Sequence, residues 1–242
     1  MKCYVCDESF ESIFCCAYHA LKNKERPCIY TKLNFQPSFL LEHIEIESDI
    51  EIFKKVKNAL INISAKTYRY LEFAYKSNNL DKENVIFNCI IKTILSKQNL
   101  LENFSDEHFF NLDKIVNAVK LEAHRFLGFI RFSKSQNGVF YACFEPDNDI
   151  IEMILPHFLK RFYTIPFILH DVKRGKVVAV YKGKIERRFN EFKKIKLTDN
   201  YAKLFKTYYD TIFIKTRKNQ KTMLNFMPKR YHKNLPETNE LL

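Results

Sequence analysis

The sequence predicts an α+β protein: a helical N-terminal half with a short sheet, then antiparallel hairpins flanked by helices. Three observations point there. Residues 48–126 hold successive apolar stripes at helical spacing. Gln136-Asn-Gly138 and Lys173-Arg-Gly175 each lie between apolar runs of strand type, which is a hairpin signal. The 242 residues are 46 % hydrophobic with only 4 Gly and 7 Pro, so a sizeable core is expected with little linker. The chain divides into a mostly helical region with short strands, 1–105, and an α+β region with a basic tail, 106–242, expected to form one compact unit.

In chain order, Lys2–Cys6 reads as a first strand. Ser9 caps a helix to about Asn23, with Phe10, Ile13, Phe14 and Ala17 on one face. Residues 24–40 read as irregular, with Pro27 and Pro37. Glu42–Ile46 alternates as a strand does. Ser48-Asp-Ile-Glu51 reads as a capping box opening a helix to about Ile61. Further helices are expected over Ser64–Lys76 and Asp81–Lys97, the latter capped by Asp81. The next runs from Asp106 or Phe109 to Phe126 and stops at Gly128.

Phe129–Lys134 and Val139–Glu145 read as a hairpin about Asn137-Gly138. A two-residue loop would set Arg131 opposite Phe144. Asp149 and Glu152 open a short helix, and Pro156 is expected to start a new turn. Phe167–Asp171 and Lys176–Lys182 form a second hairpin. Asp199–Ile214 reads as an aromatic-rich helix, followed by a basic tail over Arg217–Lys233.

No apolar run reaches the roughly 18 residues needed to span a bilayer, and the N-terminus lacks a signal-peptide core. No membrane partner and a cytoplasmic location are therefore expected. Seven Cys in such a chain argue against disulfides. Cys3-x-x-Cys6, Cys15-Cys16 and Cys28 crowd the N-terminus, but an i, i+3 pair on a strand points to opposite faces. No second such pair completes a ligand set, so buried thiols are expected rather than a metal site.

The net charge of +12 is segregated. Lys160–Lys233 holds 21 Lys and Arg against 5 Asp and Glu, a balance of +16, while the rest has 19 against 23. Such asymmetry points to a polyanion, most simply nucleic acid, with a merely solvated basic surface as the alternative.

Polar residues packed among aromatics mark the candidate site. Glu122 and Arg125 share a flank of their helix, either as a surface i, i+3 pair or in a buried role. His124 lies on the other flank. Arg131 in an aromatic-rich strand needs an anionic partner, for which Glu145 is a candidate. Asp147-Asn-Asp149 reads as turn and cap residues. His157 and Arg161 are spaced i, i+4. His170-Asp171 beside Lys173-Arg174 mixes a proton carrier, an acid and two phosphate binders. Arg217, Lys218, Lys221, Lys229, Arg230 and Lys233 interleave with Phe226, Tyr231 and His232, which suits phosphate contact plus base stacking.

The motifs for ATP, dinucleotide, acyl-transfer and zinc-deaminase chemistry are absent from the sequence, and no cofactor is assigned. One enzyme pattern survives: Pro146-Asp147 followed by Asp171-Val-Lys173, an arrangement similar to that of metal-dependent nucleases.

Glu122-Ala-His-Arg-Phe-Leu-Gly-Phe-Ile-Arg-Phe132, Glu145-Pro-Asp147, Leu155-Pro-His-Phe158, Arg161-Phe162, His170-Asp-Val-Lys-Arg174 and Met227-Pro-Lys-Arg-Tyr231 resemble the signature of a bacterial DNA-repair or DNA-metabolism protein family. That family is a domain of unknown function, often encoded beside a radical-SAM protein and fused in some members to a uracil-DNA glycosylase domain. The N-terminal Asp7-Glu-Ser-Phe-Glu11 resembles its opening, with Glu8 where Gly is usual and Cys6 where an aromatic is usual. The resemblance implies a DNA-binding accessory or substrate-handling role, with DNA and the radical-SAM protein as partners. Arg125, Arg131, Arg161, Lys173, Arg174, Arg217, Lys229 and Arg230 would bind phosphate or substrate, with Glu122, Glu145 and Asp147 as site acids. Two other readings stay open. One is an enzyme acting directly on DNA, with His124, His157, His170 and Asp171 as acid–base or metal groups. The other is a protein–protein scaffold.

Overall fold

In a computed structural model of the chain, residues 2–37, 42–135, 138–190, 207 and 228–234 are described below. Apart from Thr207, the expected tail helix 199–214 lies outside them, as do the tail residues Arg217, Lys218 and Lys221. The chain is α+β and forms two compact units, Met1–Lys120 and Leu121–Leu242.

The first unit is built on a three-stranded parallel sheet in the order β2-β1-β3, with β1 Lys2–Cys6, β2 Cys28–Thr31 and β3 Glu42–Ile46. Helix α1 (Phe10–Asn23) is capped by Ser9, whose Oγ accepts the Ser12 N–H at 3.1 Å. Helix α2 spans Ile50–Tyr75 and is interrupted by extended backbone at Ser64. Ser64 Oγ accepts the Thr67 N–H at 3.0 Å and so recaps the chain there, which is why the sequence reads as two helices. The cap of α2 is Asp49 rather than Ser48. Its carboxylate accepts from Glu51 N at 2.7 Å and Ile52 N at 3.1 Å, while the Ser48 and Ser9 hydroxyls bond each other at 3.0 Å. Helix α3 is Lys82–Ser96; Asp81 holds the cap position without a side-chain bond.

Tyr4, Phe14, Phe53, Leu60, Leu71, Ile86 and Ile90 lie in the core of this unit, with Phe14 edge-on to Phe53 at 5.2 Å. Strand β2 falls where the sequence predicts irregular chain. Its Ile29 N–H and C=O are both met by the Asn84 side-chain amide, at 2.9 and 3.0 Å, which satisfies a strand edge too short to read by pattern. Cys3, Cys6, Cys15, Cys16 and Cys89 are buried free thiols, and Cys28 and Cys143 are half-buried. The Cys6 and Cys16 thiols hydrogen-bond each other, lowering the pKa of the first and raising that of the second.

Helix α4 (Glu107–Phe129) passes from the first unit into the second at Leu121. The second unit holds a five-stranded sheet in the order β4-β5-β6-β7-β8, formed by Ser133–Lys134, Phe140–Phe144, Phe167–Asp171, Lys176–Tyr181 and Lys184–Phe189. Helix α5 (Ile151–Arg161) joins β5 to β6, which run parallel; the other pairs are antiparallel. A helical crossover is what a parallel pair requires. Phe158 of α5 and Phe162, which caps its C-terminus, pack against Phe132, Phe140 and Phe167.

Several local expectations are corrected. Gly128 does not stop α4; the helix runs on to Phe129, and Ile130 N still bonds Phe126 O at 3.2 Å. Arg131 is not in a strand facing Phe144. Its Nη1 reaches the Gly128 carbonyl at 2.5 Å and the Ile130 carbonyl at 3.4 Å, so it serves carbonyls left over by the helix end. Strand β4 has only two residues, and its register (Ser133 opposite Tyr141) is one residue away from that of a two-residue loop, which turns each side chain to the other face. Gly138, at φ 80°, lies at the end of this turn; Gln136 and Asn137 are outside the described residues. Pro156 lies inside α5 and does not begin a turn, because burial of Ile154, Leu155 and Phe158 outweighs one lost backbone donor. Strand β8 was not expected.

Candidate functional site

The polar centre of the second unit starts from Glu122, on the last turns of α4. Its side chain is turned inward and 5 % exposed. Oε1 accepts the Asp147 N–H at 2.8 Å and the Tyr231 hydroxyl at 2.5 Å. Oε2 accepts the Asn148 N–H at 2.8 Å and the Asn148 side-chain amide at 2.6 Å. Four donors fill the roughly four lone-pair positions of a carboxylate. This buried charge is therefore satisfied, as burial demands, and it fixes the turn after β5 to the segment around Tyr231.

Asp147, held by that turn, meets two cations. Lys173 Nζ lies 3.3 Å from Oδ1 and Arg230 Nε 2.9 Å from Oδ2, both on exposed side chains. Arg174 is enclosed by acceptors. It donates to the Pro146 carbonyl at 3.0 Å, to the Asp147 carbonyl and to Asp171 Oδ2 at 3.1 Å. Asp171 is fully buried at the end of β6 and also accepts the Arg174 N–H at 3.2 Å. Burial pushes its carboxyl above the ordinary range, against the pull of Arg174. Tyr231 packs edge-on to Phe126 at 4.9 Å, and Arg230 lies over the Tyr231 ring at 4.8 Å. Burial and the bond to Glu122 raise the Tyr231 hydroxyl pKa, so the phenol stays protonated and donates.

The structure thus brings together Glu122, Asp147, Asp171, Lys173, Arg174 and Arg230. The Lys229 side chain is exposed one residue before Arg230. His170 is 2 % exposed, and its Nδ1 is 2.8 Å from the Tyr141 hydroxyl. His170 and Asp171 are adjacent strand residues and so lie on opposite faces of β6. His124, His157 and Arg161 are exposed, with Arg161 over its neighbour Phe162 at 5.6 Å. Arg125 is half-buried, and neither it nor His124 is joined to the cluster by a bond among the described residues. Arg131 serves its own helix end. Glu145 is half-buried before the turn, and Arg217 lies outside the described residues. The sequence reads Asn148 as a turn residue and Tyr231 as a stacking residue; both are partners of Glu122. No local signal marks either partner, because they lie 26 and 109 positions from Glu122.

Lys173 and Arg230 flank one carboxylate while remaining open to solvent, which is a position where a phosphate oxygen can be met by two cations. Arg174 has no such freedom. The Asp147 and Asp171 carboxylates are engaged by Lys173, Arg230 and Arg174. Among the described residues no three His, Cys, Asp or Glu side chains are grouped to hold a metal ion.

A cavity of about 570 Å³ lies in the first unit, bordered by Tyr30, Asp81, Glu83, Asn84, His108 and Asn111. No Lys or Arg lines it, and none of the candidate residues do. It is unsuited to phosphate, and the charged cluster of the second unit is the better candidate for polyanion contact. Among the described residues no helix is long and apolar enough to cross a membrane.

These features define a two-unit α+β protein whose second unit is basic and organised around a saturated buried glutamate. Residues 80–237 match a family model described as a domain of unknown function, DUF4130, and the chain belongs to that family. No curated protein and no solved structure matches the chain.

Proposed function

We propose that this chain is a DNA-binding accessory of DNA repair or DNA metabolism, handling substrate for a radical-SAM enzyme. The observation that supports DNA contact is a surplus of cations left after internal pairing. Residues 121–190 and 228–234 hold 15 Lys and Arg against 7 Asp and Glu. Five of these acids are matched internally: Asp147 to Lys173 and Arg230, Asp149 to Lys176, Glu152 to Arg187, Asp171 to Arg174 and Glu186 to Arg188. Glu122 is filled by neutral donors. Lys160, Arg161, Lys182, Lys184 and Lys229 have no carboxylate partner among the described residues. A polyanion is the partner that such a surface attracts. The radical-SAM partner and the repair pathway rest on the resemblance of the signature residues.

The test is titration of the whole chain with labelled single- and double-stranded DNA between about 50 and 200 mM salt. If about five cations meet phosphates, the slope of log affinity against log salt approaches about −4 on duplex. Absence of binding at low salt, with and without the co-purified radical-SAM protein, overturns the reading. A protein–protein scaffold is the second reading. It is favoured by the internal use of Arg230 and Tyr231, and co-purification without DNA affinity would establish it.

A further inference from the structure

The β7–β8 hairpin has a separate feature that the charged cluster does not use. Its turn is Tyr181-Lys182-Gly183-Lys184, with Tyr181 paired to Lys184 and positive φ at both Lys182 (47°) and Gly183 (75°). This is a type I′ turn, the connection whose twist matches the flanking strands, so the hairpin closes tightly over two residues. Every residue from Tyr181 to Asn190 is exposed. Tyr181 itself is 58 % exposed, so its ring is open to a partner. The Lys182 ammonium lies 5.3 Å from its ring centroid, so the ring is held beside a cation. Lys182 and Lys184 have no carboxylate partner among the described residues, whereas Arg187 and Arg188 lower on the hairpin are held by Glu152 and Glu186. The bidentate Arg187–Glu152 bridge, at 2.6 and 2.9 Å, joins the middle of β8 to α5.

An exposed aromatic at a tight turn, next to one unneutralised lysine and paired across the hairpin with another, has the chemistry of a base-stacking platform with nearby phosphate contacts. We propose that the hairpin tip binds single-stranded nucleic acid, Tyr181 stacking on an unpaired base while Lys182 and Lys184 meet the phosphates on either side. This rests on the DNA-binding reading above and names the strand state it would select. Charge complementarity is what commits the surface to a nucleic acid and not to a protein groove. A protein partner is an outcome of the test.

The experiment compares the intact chain with Tyr181→Ala and Tyr181→Phe, using a labelled oligothymidylate and a duplex of equal length at fixed low salt. Stacking predicts that Tyr181→Ala weakens single-strand binding by at least about fivefold, that Tyr181→Phe retains most of it, and that duplex binding changes by less than twofold. Tyr181 is exposed, so both variants should fold, which matching thermal melts would check. Unchanged single-strand affinity in Tyr181→Ala, with the intact chain still binding DNA, overturns the hairpin proposal and leaves the DNA reading standing. Loss of binding to a protein partner with no change toward either DNA also overturns it. Failure of the intact chain to bind any DNA removes both.

Discussion

The Tyr231 hydroxyl donates to Glu122 Oε1 at 2.5 Å, closing a contact between residues 109 positions apart in the chain. The same carboxylate holds the backbone of Asp147 and Asn148. One acid therefore ties the end of α4, the turn after β5 and the segment at Tyr231.

Because Glu122 is buried with all four acceptor positions filled, removing one donor exposes a cost and not only a lost bond. Tyr231→Phe should destabilise the protein by about 1–3 kcal/mol in urea unfolding. Glu122→Gln should cost at least as much, since its amide NH₂ would face either the Asp147 N–H and the Tyr231 hydroxyl or the two Asn148 donors. The double variant should fall short of the sum, with a coupling of roughly 1 kcal/mol. Strict additivity would mean that the two residues do not act through this bond.

Gly128 should behave as a helix-interior glycine. No atom lies within 4 Å of a Cβ built there, and its backbone is not left-handed. Gly128→Ala should therefore stabilise the chain by about 0.5–1 kcal/mol through lower backbone entropy in the unfolded state. A drop in the melting temperature would show instead that the residue caps the helix.

Asp171 gives a pH signature with a defined sign. Burial raises its carboxyl above the ordinary value of 3.8, with Arg174 opposing. The folded state then binds this proton more tightly than the unfolded chain does. The associated stability is full below the ordinary value and is lost as pH rises through the raised one. Asp171→Asn has no such titration. Stability of the native chain minus that of the variant should fall as pH rises across this window. A difference that climbs with pH would reverse the assigned direction.

What the sequence made legible is local. Ser9 and its apolar face announce α1, and Lys173-Arg-Gly175 announces the β6–β7 hairpin, because cap and turn chemistry act within a few residues. Strand β2 was hidden because its edge is completed by Asn84, 55 residues further on. Strand β8 was hidden because Lys184–Phe189 is exposed on both faces and so lacks apolar alternation. The parallel pairing of β5 with β6 is a consequence of α5 crossing between them and not of either strand's residues. At the site, Glu122, Asp147, Asp171 and Arg174 were legible as expensive residues among aromatics. Their partners were not, since Asn148 and Tyr231 reach Glu122 across 26 and 109 positions.

The cluster also predicts how single changes should redistribute DNA affinity. Lys229→Ala should weaken binding to all sequences alike and reduce the salt slope by about 1, the behaviour of a phosphate contact. Arg174→Ala should act differently, because that guanidinium is spent on two backbone carbonyls and Asp171. Its loss should lower the melting temperature before it changes DNA affinity. Asp147 has the most discriminating sign. Its carboxylate is the internal competitor for Lys173 and Arg230, two exposed cations otherwise free to meet a phosphate. Exposed pairs of this kind contribute only about 0–1 kcal/mol each to folding. Asp147→Asn should therefore cost little stability while tightening DNA binding and steepening the salt slope by about 1–2. Weaker binding in a well-folded Asp147→Asn would mean that the carboxylate orients these cations and does not compete for them.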